Sequence, residues 1–275
     1  MNMNKKTVLA IIAAGLITAS FLTACNNTQQ QAPDRTATNS TIASEPEKAH
    51  YTFVEQSQTK PTMLLSEDKQ TVYVTSSAEK ISFVAENRAD REASKKINDT
   101  LATIYTRAKQ YYQNYESDVS AVLSQENPDL SVFPWETNVD YTCTRNDGRA
   151  ISVTEVIEYR AGGAVTSSAR YSYNFDPITG DEITNVFYKP GDQEAFNQAD
   201  DLIYRKLLAK YGEEVINYDN VTASFIDEAL GCWRFTENGV VVTFNADTIA
   251  PASAGVLEVE YTKEELPEAA QKYFN

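Results

Sequence analysis

One histidine, His50, stands among 275 residues. A Ser-His-Asp or Cys-His nucleophile needs an imidazole held in place by the fold, and His50 closes a polar stretch with nothing around it to hold a base. Zinc sites draw on several His and Cys ligands. Three cysteines, Cys25, Cys143 and Cys232, with that one histidine are too few. No G-x-x-x-x-G-K-[ST] phosphate loop occurs either. Basic residues are scarce, with Lys+Arg 24 against Asp+Glu 39 and a net charge of −15. Nucleic acid and anionic lipid surfaces repel such a chain, whereas a basic protein complements it. Simple solubility accounts for the same charge. What survives is hydrolysis by two carboxylates, which spelling does not exclude in so acidic a chain. The expectation is no catalytic residue, no metal and no cofactor.

Long apolar runs are missing after residue 24, where nothing approaches the roughly 18 residues that span a bilayer. Before it, Lys5 and Lys6 precede "TVLAIIAAGLITASFLTAC", Thr7 to Cys25. A basic start, a short apolar stretch and small residues at its end form an export signal. Leu22-Thr23-Ala24-Cys25 resembles the lipobox of bacterial lipoproteins. That resemblance implies diacylglyceryl attachment to the Cys25 thiol and cleavage before it, leaving the protein at the cell membrane on its extracytoplasmic face. Acyl chains contribute about 0.8 kcal/mol per buried CH₂, so two of them anchor firmly. Loss of residues 1–24 removes Lys5 and Lys6 but no acid, which takes the charge from −15 to −17.

Residues 25–50 follow as the lipidated cysteine and a tether. From Asn26 to His50 there is no aromatic residue and a single large aliphatic, Ile42, too little apolar surface to offset the entropy of ordering. The body divides into an N-terminal lobe, residues 51–165, and a C-terminal lobe, residues 166–275.

In the first lobe "TVYVT" and "KISFVA" alternate as half-buried strands do. The period then changes. Ile97, Leu101, Ile104, Ala108, Tyr111, Tyr115, Val119 and Val122 recur at spacings of three and four, which predicts a long helix over about 90–125. Strands return, with a hairpin at Asn146-Asp147-Gly148. A second helix is expected over about 192–216, capped by Asp192 and ending near Gly212. "CWRFTENGVVVTFN" predicts a hairpin with Trp233 and Phe235 facing Val240, Val242 and Phe244. "NADTIAPASAGVLEVEY" then reads as a bend between Pro251 and Gly255, followed by a strand. Thr262 to Phe274 is expected to close the chain as a short helix. The blocks add up to an antiparallel α+β fold with two longer helices.

Cys143 and Cys232 both fall in strand-like text, in a compartment where a disulfide persists. They are candidates for a disulfide or for two buried thiols. "DPITGDEIT" around Asp176, Asp181 and Glu182 lacks the ligand rhythm of a calcium loop and is read as a turn. Trp135 and Trp233, with the tyrosines of "YYQNY", are candidate binding residues that stack on sugar or anchor a partner. Helical spacing also suits a plain core.

"YRAGGAVTSSARYSYNFDPITGDEIT", a helix, and "CWRFTENGVVVTFNADTIAPASAGVLEVEYTKEEL" together resemble the RsiV-like extracytoplasmic domain of Gram-positive bacteria, formerly a domain of unknown function. The half that starts at Tyr51 resembles its usual smaller companion. The resemblance implies a binding role outside the cell: relatives serve as lysozyme-binding ectodomains of anti-sigma factors, or accompany a peptidoglycan deacetylase. The family's Gly-Gly-Ala-His reads Gly162-Gly163-Ala164-Val165 here, so that histidine's role does not carry over. No deacetylase block is present, and no sigma-binding segment precedes Lys5 in these residues. The expected function is a non-catalytic lipoprotein that binds a basic protein such as lysozyme; the alternatives are a peptidoglycan or glycan module and a carboxylate hydrolase.

Overall fold

The alternating text near the start folds as β1 (Tyr51–Gln56), β2 (Thr62–Leu65), β3 (Val72–Ala78) and β4 (Lys80–Ala85). Val74, Ser76 and Ala78 of β3 are buried, as are Ile81 and Phe83 of β4, the period of two that a pleated strand imposes. The computed structural model describes residues 49–56, 60–162, 167–216 and 224–275, all within the unit Pro46–Asn275. Cys25, the signal segment and nearly all of the expected tether lie outside the described residues. Its last two positions belong to the body. Ala49 is buried, and the His50 backbone N–H donates to Asp90 Oδ2 at 3.2 Å.

The long helix is α1 (Arg91–Leu123), 33 residues and about 50 Å at 1.5 Å per residue. Ile97, Leu101, Ile104 and Ala108 are buried on its inner face. Each of the three large ones contributes about 2 kcal/mol relative to exposure. Two polar side chains tie the helix to β4. Ser94 Oγ donates to the Phe83 carbonyl at 2.7 Å, and Asn98 both accepts from Phe83 N–H at 2.8 Å and donates to its carbonyl at 2.9 Å.

After α1 come β5 (Trp135–Asn146), β6 (Ile151–Arg160) and β7 (Ser167–Phe175). Asp147 shapes the β5–β6 turn by accepting from the N–H groups of Arg149 and Ala150. The five-stranded sheet has the order β2-β3-β5-β6-β7, with β1 and β4 paired beside it. All pairings are antiparallel except β3 with β5, which is parallel. The expected antiparallel α+β arrangement holds apart from this one pair, where β4 and α1 carry the chain back between the two strands, the crossover a parallel pair requires.

The last third contains α2 (Gln193–Tyr211), α3 (Phe225–Ala229) and a three-stranded antiparallel sheet of β8 (Trp233–Thr236), β9 (Gly239–Phe244) and β10 (Leu257–Thr262). Asp192 caps α2 by accepting from Ala195 N–H at 3.0 Å. Ala199, Ile203 and Leu207 of α2 pack into a core with Trp233, Phe235, Val242, Phe244 and Val259. The expected closing helix is two short 3₁₀ turns, Lys263–Glu265 and Glu268–Tyr273. Pro267 between them lacks the N–H a continuous helix needs.

The boundary expected between residues 165 and 166 does not follow the sheets. β7 pairs along its length with β6, and Tyr173 and Phe175 belong to the core under α1. The two sheets are also stitched together. Asn174 Nδ2 donates to the Trp233 carbonyl at 2.8 Å, Phe235 N–H to Ser152 Oγ at 2.9 Å, and Ser172 N–H to the Gly231 carbonyl at 3.0 Å. Asn245 makes a reciprocal pair with the backbone of Arg170, at 2.7 and 3.0 Å.

Candidate functional site

The face of the five-stranded sheet toward α1 should be apolar, and mostly it is: Val139 of β5, Ile151, Val153 and Ile157 of β6, and Phe175 of β7 are all buried. Glu155 interrupts it. Its carboxylate sits in phase with Val153 and Ile157 and is 0 % exposed. Burying a carboxylate is costly unless charge and hydrogen bonds compensate. Here the register supplies both. Tyr141 lies directly opposite on β5, and its hydroxyl donates to Oε1 at 2.9 Å. Tyr173, one pair along β7, donates to Oε2 at 2.8 Å. Arg107 of α1 reaches down so that Nη2 lies 3.2 Å from Oε2 and donates also to the Tyr173 hydroxyl. Its guanidinium sits 5.8 Å from the Tyr173 ring centre.

Burial, and then the Glu155 charge, push the Tyr141 and Tyr173 phenols well above the ordinary tyrosine range. Both therefore stay protonated donors at neutral pH. Burial works against the Arg107 cation, but Tyr173 and Glu155 more than offset it and hold the guanidinium charged. The Glu155 end of this network is closed. Its upper end is open: the Arg107 side chain is 48 % exposed, and Tyr171, directly opposite Glu155 on β7, is 37 % exposed. Tyr111, one helical turn beyond Arg107, is half-buried. α1 lies against β3, β4 and β5, and on β7 Tyr171 is left partly open to solvent while Tyr173 is covered.

The residues expected to form a site are placed elsewhere. Trp233 is 1 % exposed, packed edge-on to Phe187 and Phe235, and its Nε1 donates to the Thr184 carbonyl at 3.4 Å. It is a core residue, which corrects its reading as a binding residue. Trp135 is half-buried at the start of β5, its ring 5.4 Å from Tyr115 in a T-shaped contact. Its Nε1 is buried without a partner among the described residues. The structure does not bring the two tryptophans together, because they lie in separate sheets.

Cys143 and Cys232 are free thiols, not a disulfide. Cys143 on β5 packs toward the α1 core and donates to the Arg145 carbonyl at 3.5 Å. Cys232, just before β8, donates to the Arg170 carbonyl at 3.4 Å. Burial pushes their thiols up to about 11 and about 12. Asp176 forms the expected turn, accepting from Ile178 and Thr179 N–H groups. Among the described residues no group of His, Cys, Asp or Glu is placed to hold a metal ion, and no helix is long and apolar enough to cross a membrane. A hollow of about 470 Å³ lies between α2 and α3, lined by Asn197, Asp200, Asp201, Tyr204 and Phe225. Asp200 there accepts from Ile226 N–H and Asp201 pairs with Arg205.

Glu155 and Arg107 were not among the residues singled out from sequence. "ISVTEVIEY" does carry a signal: three apolar residues in one phase with a carboxylate sharing it. A charge on the buried face demands a partner.

Among solved structures, the chain resembles a member of the DUF3298 family from Bacteroides fragilis NCTC 9343. The TM-score is 0.56 at 11 % identity, covering 82 % of this chain and 97 % of that one. The likeness is one of fold. A DUF3298 family protein from Pseudomonas aeruginosa PAO1 gives a TM-score of 0.46 at 14 % identity, covering 84 % of this chain and 97 % of that one. No family model and no curated protein matches the sequence.

Proposed function

We propose that this chain is an extracytoplasmic lipoprotein whose body recognises a ligand rather than transforming one, with a basic protein such as lysozyme as the ligand. The observation that carries the reading is Leu22-Thr23-Ala24-Cys25 at the end of a basic-flanked apolar run. Acylated Cys25 anchors the protein at the membrane, and the residues after it separate the body from the headgroups. The mature charge of −17 favours a cationic partner. The buried carboxylate of Glu155, enclosed by Tyr141, Tyr173 and Arg107, is placed to hold charge in the fold. A hydrolase of the two-carboxylate kind needs both groups facing substrate.

Fatty-acid labelling tests the anchor. Wild-type protein incorporates label and fractionates with membrane, while Cys25→Ser does neither; label surviving in Cys25→Ser removes the lipoprotein reading. Retention of lysozyme by the purified protein tests the ligand. It is expected at low ionic strength and falls as salt screens the acidic–basic contacts. No retention at low salt removes lysozyme. Turnover of cell-wall fragments, abolished by a single Asp or Glu substitution, would establish a hydrolase instead.

A second reading, a glycan module, is favoured by the open tyrosine–arginine strip beside α1.

A further inference from the structure

We infer that this strip, built on Arg107, Tyr111 and Tyr171, is a binding subsite for a neutral, hydroxyl-rich glycan chain. The inference draws on the glycan reading and is independent of lysozyme recognition.

Unused hydrogen-bonding capacity is the first argument. Arg107 spends Nη2 on Glu155 and Tyr173, while Nε and Nη1 make no hydrogen bond among the described residues. A guanidinium presents five donors in a fixed plane, so the outer edge of this one is set, oriented and half-exposed. The phenol hydroxyls of Tyr111, Tyr159 and Tyr171 likewise take no hydrogen bond from described residues. Each offers one donor and an acceptor. Tyr171 shares its register position with Glu155, the carboxylate that Arg107 meets, and Tyr111 stands one helical turn beyond Arg107, so donors and acceptors lie along one strip of surface.

Rigidity is the second argument. Arg107 is not a floppy surface side chain, because a fully buried carboxylate fixes one of its nitrogens and the Tyr173 ring lies beside it. Tyr171 rises from the same register position of the sheet as Glu155. A preorganised site loses little entropy when it binds.

Charge selects the ligand class. Glu155 already neutralises Arg107, and Glu182 lies within electrostatic range of the same guanidinium. The strip offers no excess positive charge to an anion. Its aromatic rings and directional polar groups suit a ligand with apolar sugar faces and many hydroxyls. A chain of β-linked N-acetylated amino sugars presents that chemistry.

The test uses the full chain in detergent, with soluble oligosaccharides of β-linked N-acetylated amino sugars as the neutral probe and a uronic-acid oligosaccharide of similar length as the anionic control, read by calorimetry. Wild-type protein binds the amino-sugar chain and not the control. Arg107→Lys preserves the charge beside Glu155 but loses the planar edge, and Tyr171→Ala removes an exposed ring. Each is expected to weaken binding at least tenfold while the melting temperature stays near wild type. Tyr112→Ala, outside the strip, leaves binding unchanged. No binding of the amino-sugar chain, equal binding of the control, or variants that bind like wild type overturns the subsite. Lysozyme retention on the same samples reports the basic-protein reading separately: its loss with glycan binding intact, or the reverse, shows which of the two has failed.

Discussion

Arg145 of β5 donates from Nη2 to the backbone carbonyl of Tyr273 at 2.5 Å, across 128 residues of sequence. Its Nη1 donates to the Thr236 carbonyl at 3.0 Å, Asp147 pairs with it at 2.8 Å, and its guanidinium lies between the rings of Phe235 and Phe274 at 5.5 and 5.2 Å. The side chain is 4 % exposed. A buried cation here joins the β5–β6 turn, the three-stranded sheet and the end of the chain.

Replacing Arg145 with Met leaves the buried Tyr273 carbonyl and the part-buried Thr236 carbonyl short of a donor and Asp147 short of a cation. The expected cost is about 3 kcal/mol, measured by urea unfolding. Arg145→Lys recovers less than half of it, because an ammonium lacks the planar fork that serves three acceptors and stacks between two rings. Full recovery by Lys would mean that charge alone matters at this position.

Burial pushes Cys143 to about 11 and Cys232 to about 12, so neither is a thiolate at neutral pH, and the thiolate is the reactive form. With Cys25 replaced by Ser, folded protein is expected to react negligibly with a disulfide reagent at pH 7.5, and both thiols to react once denaturant is added. An intact mass two hydrogen atoms lighter than the reduced chain would instead reveal the disulfide that the text of the two strands also allowed.

The elements built by local periodicity were legible. α1 follows from the spacing of Ile97, Leu101, Ile104 and Ala108, β3 and β4 from strict alternation, and the cap of α2 from Asp192. Partnerships across the chain were not. Nothing in "SSARYSYNF" states that β7 pairs with β6 rather than with the strands after it, because alternation fixes which residues share a face but not which sheet holds them. Pro267 did announce the break in the closing helix, and the apolar residues around it masked that stop. The candidate site was hidden for a related reason. Arg107 and Glu155 lie 48 residues apart, so the phase of Glu155 marks a buried charge but nothing in the text names Arg107 as its partner.

Alkaline stability follows from the buried phenols. Tyr51 is pushed from 10.0 up to about 12 by burial and then by Asp90 and Asp176, and Tyr115 likewise to about 12 by burial, Tyr159 and Asp118. A folded pKa above the unfolded value means the fold favours the protonated phenol. That contribution is fully present below pH 10 and is lost as pH rises through about 12. Absorbance at 295 nm should show these tyrosines ionising late in folded protein and near 10 in urea, with the urea midpoint falling across the same window. Tyr51→Phe forfeits the hydrogen bond to the Pro177 carbonyl but flattens the alkaline limb. An unchanged limb in Tyr51→Phe would assign the loss to other phenols.

Gly180 ends the turn that begins at Asp176 and holds φ at +71°, where a Cβ would meet the Ala93 carbonyl oxygen at 2.5 Å and Ala93 Cα at 2.9 Å. Gly191 has a similar φ, +87°, with nothing within 4 Å of its Cβ position. The pair separates backbone strain from close approach. Ala at either position meets the left-handed penalty of about 1 kcal/mol. At Gly180 alone it must also push the turn off the first turn of α1, adding about 1–3 kcal/mol and stretching the neighbouring Lys96–Asp181 ion pair. Thermal unfolding should therefore place Gly180→Ala well below Gly191→Ala. Equal melting temperatures would show that the turn does not dock on the helix.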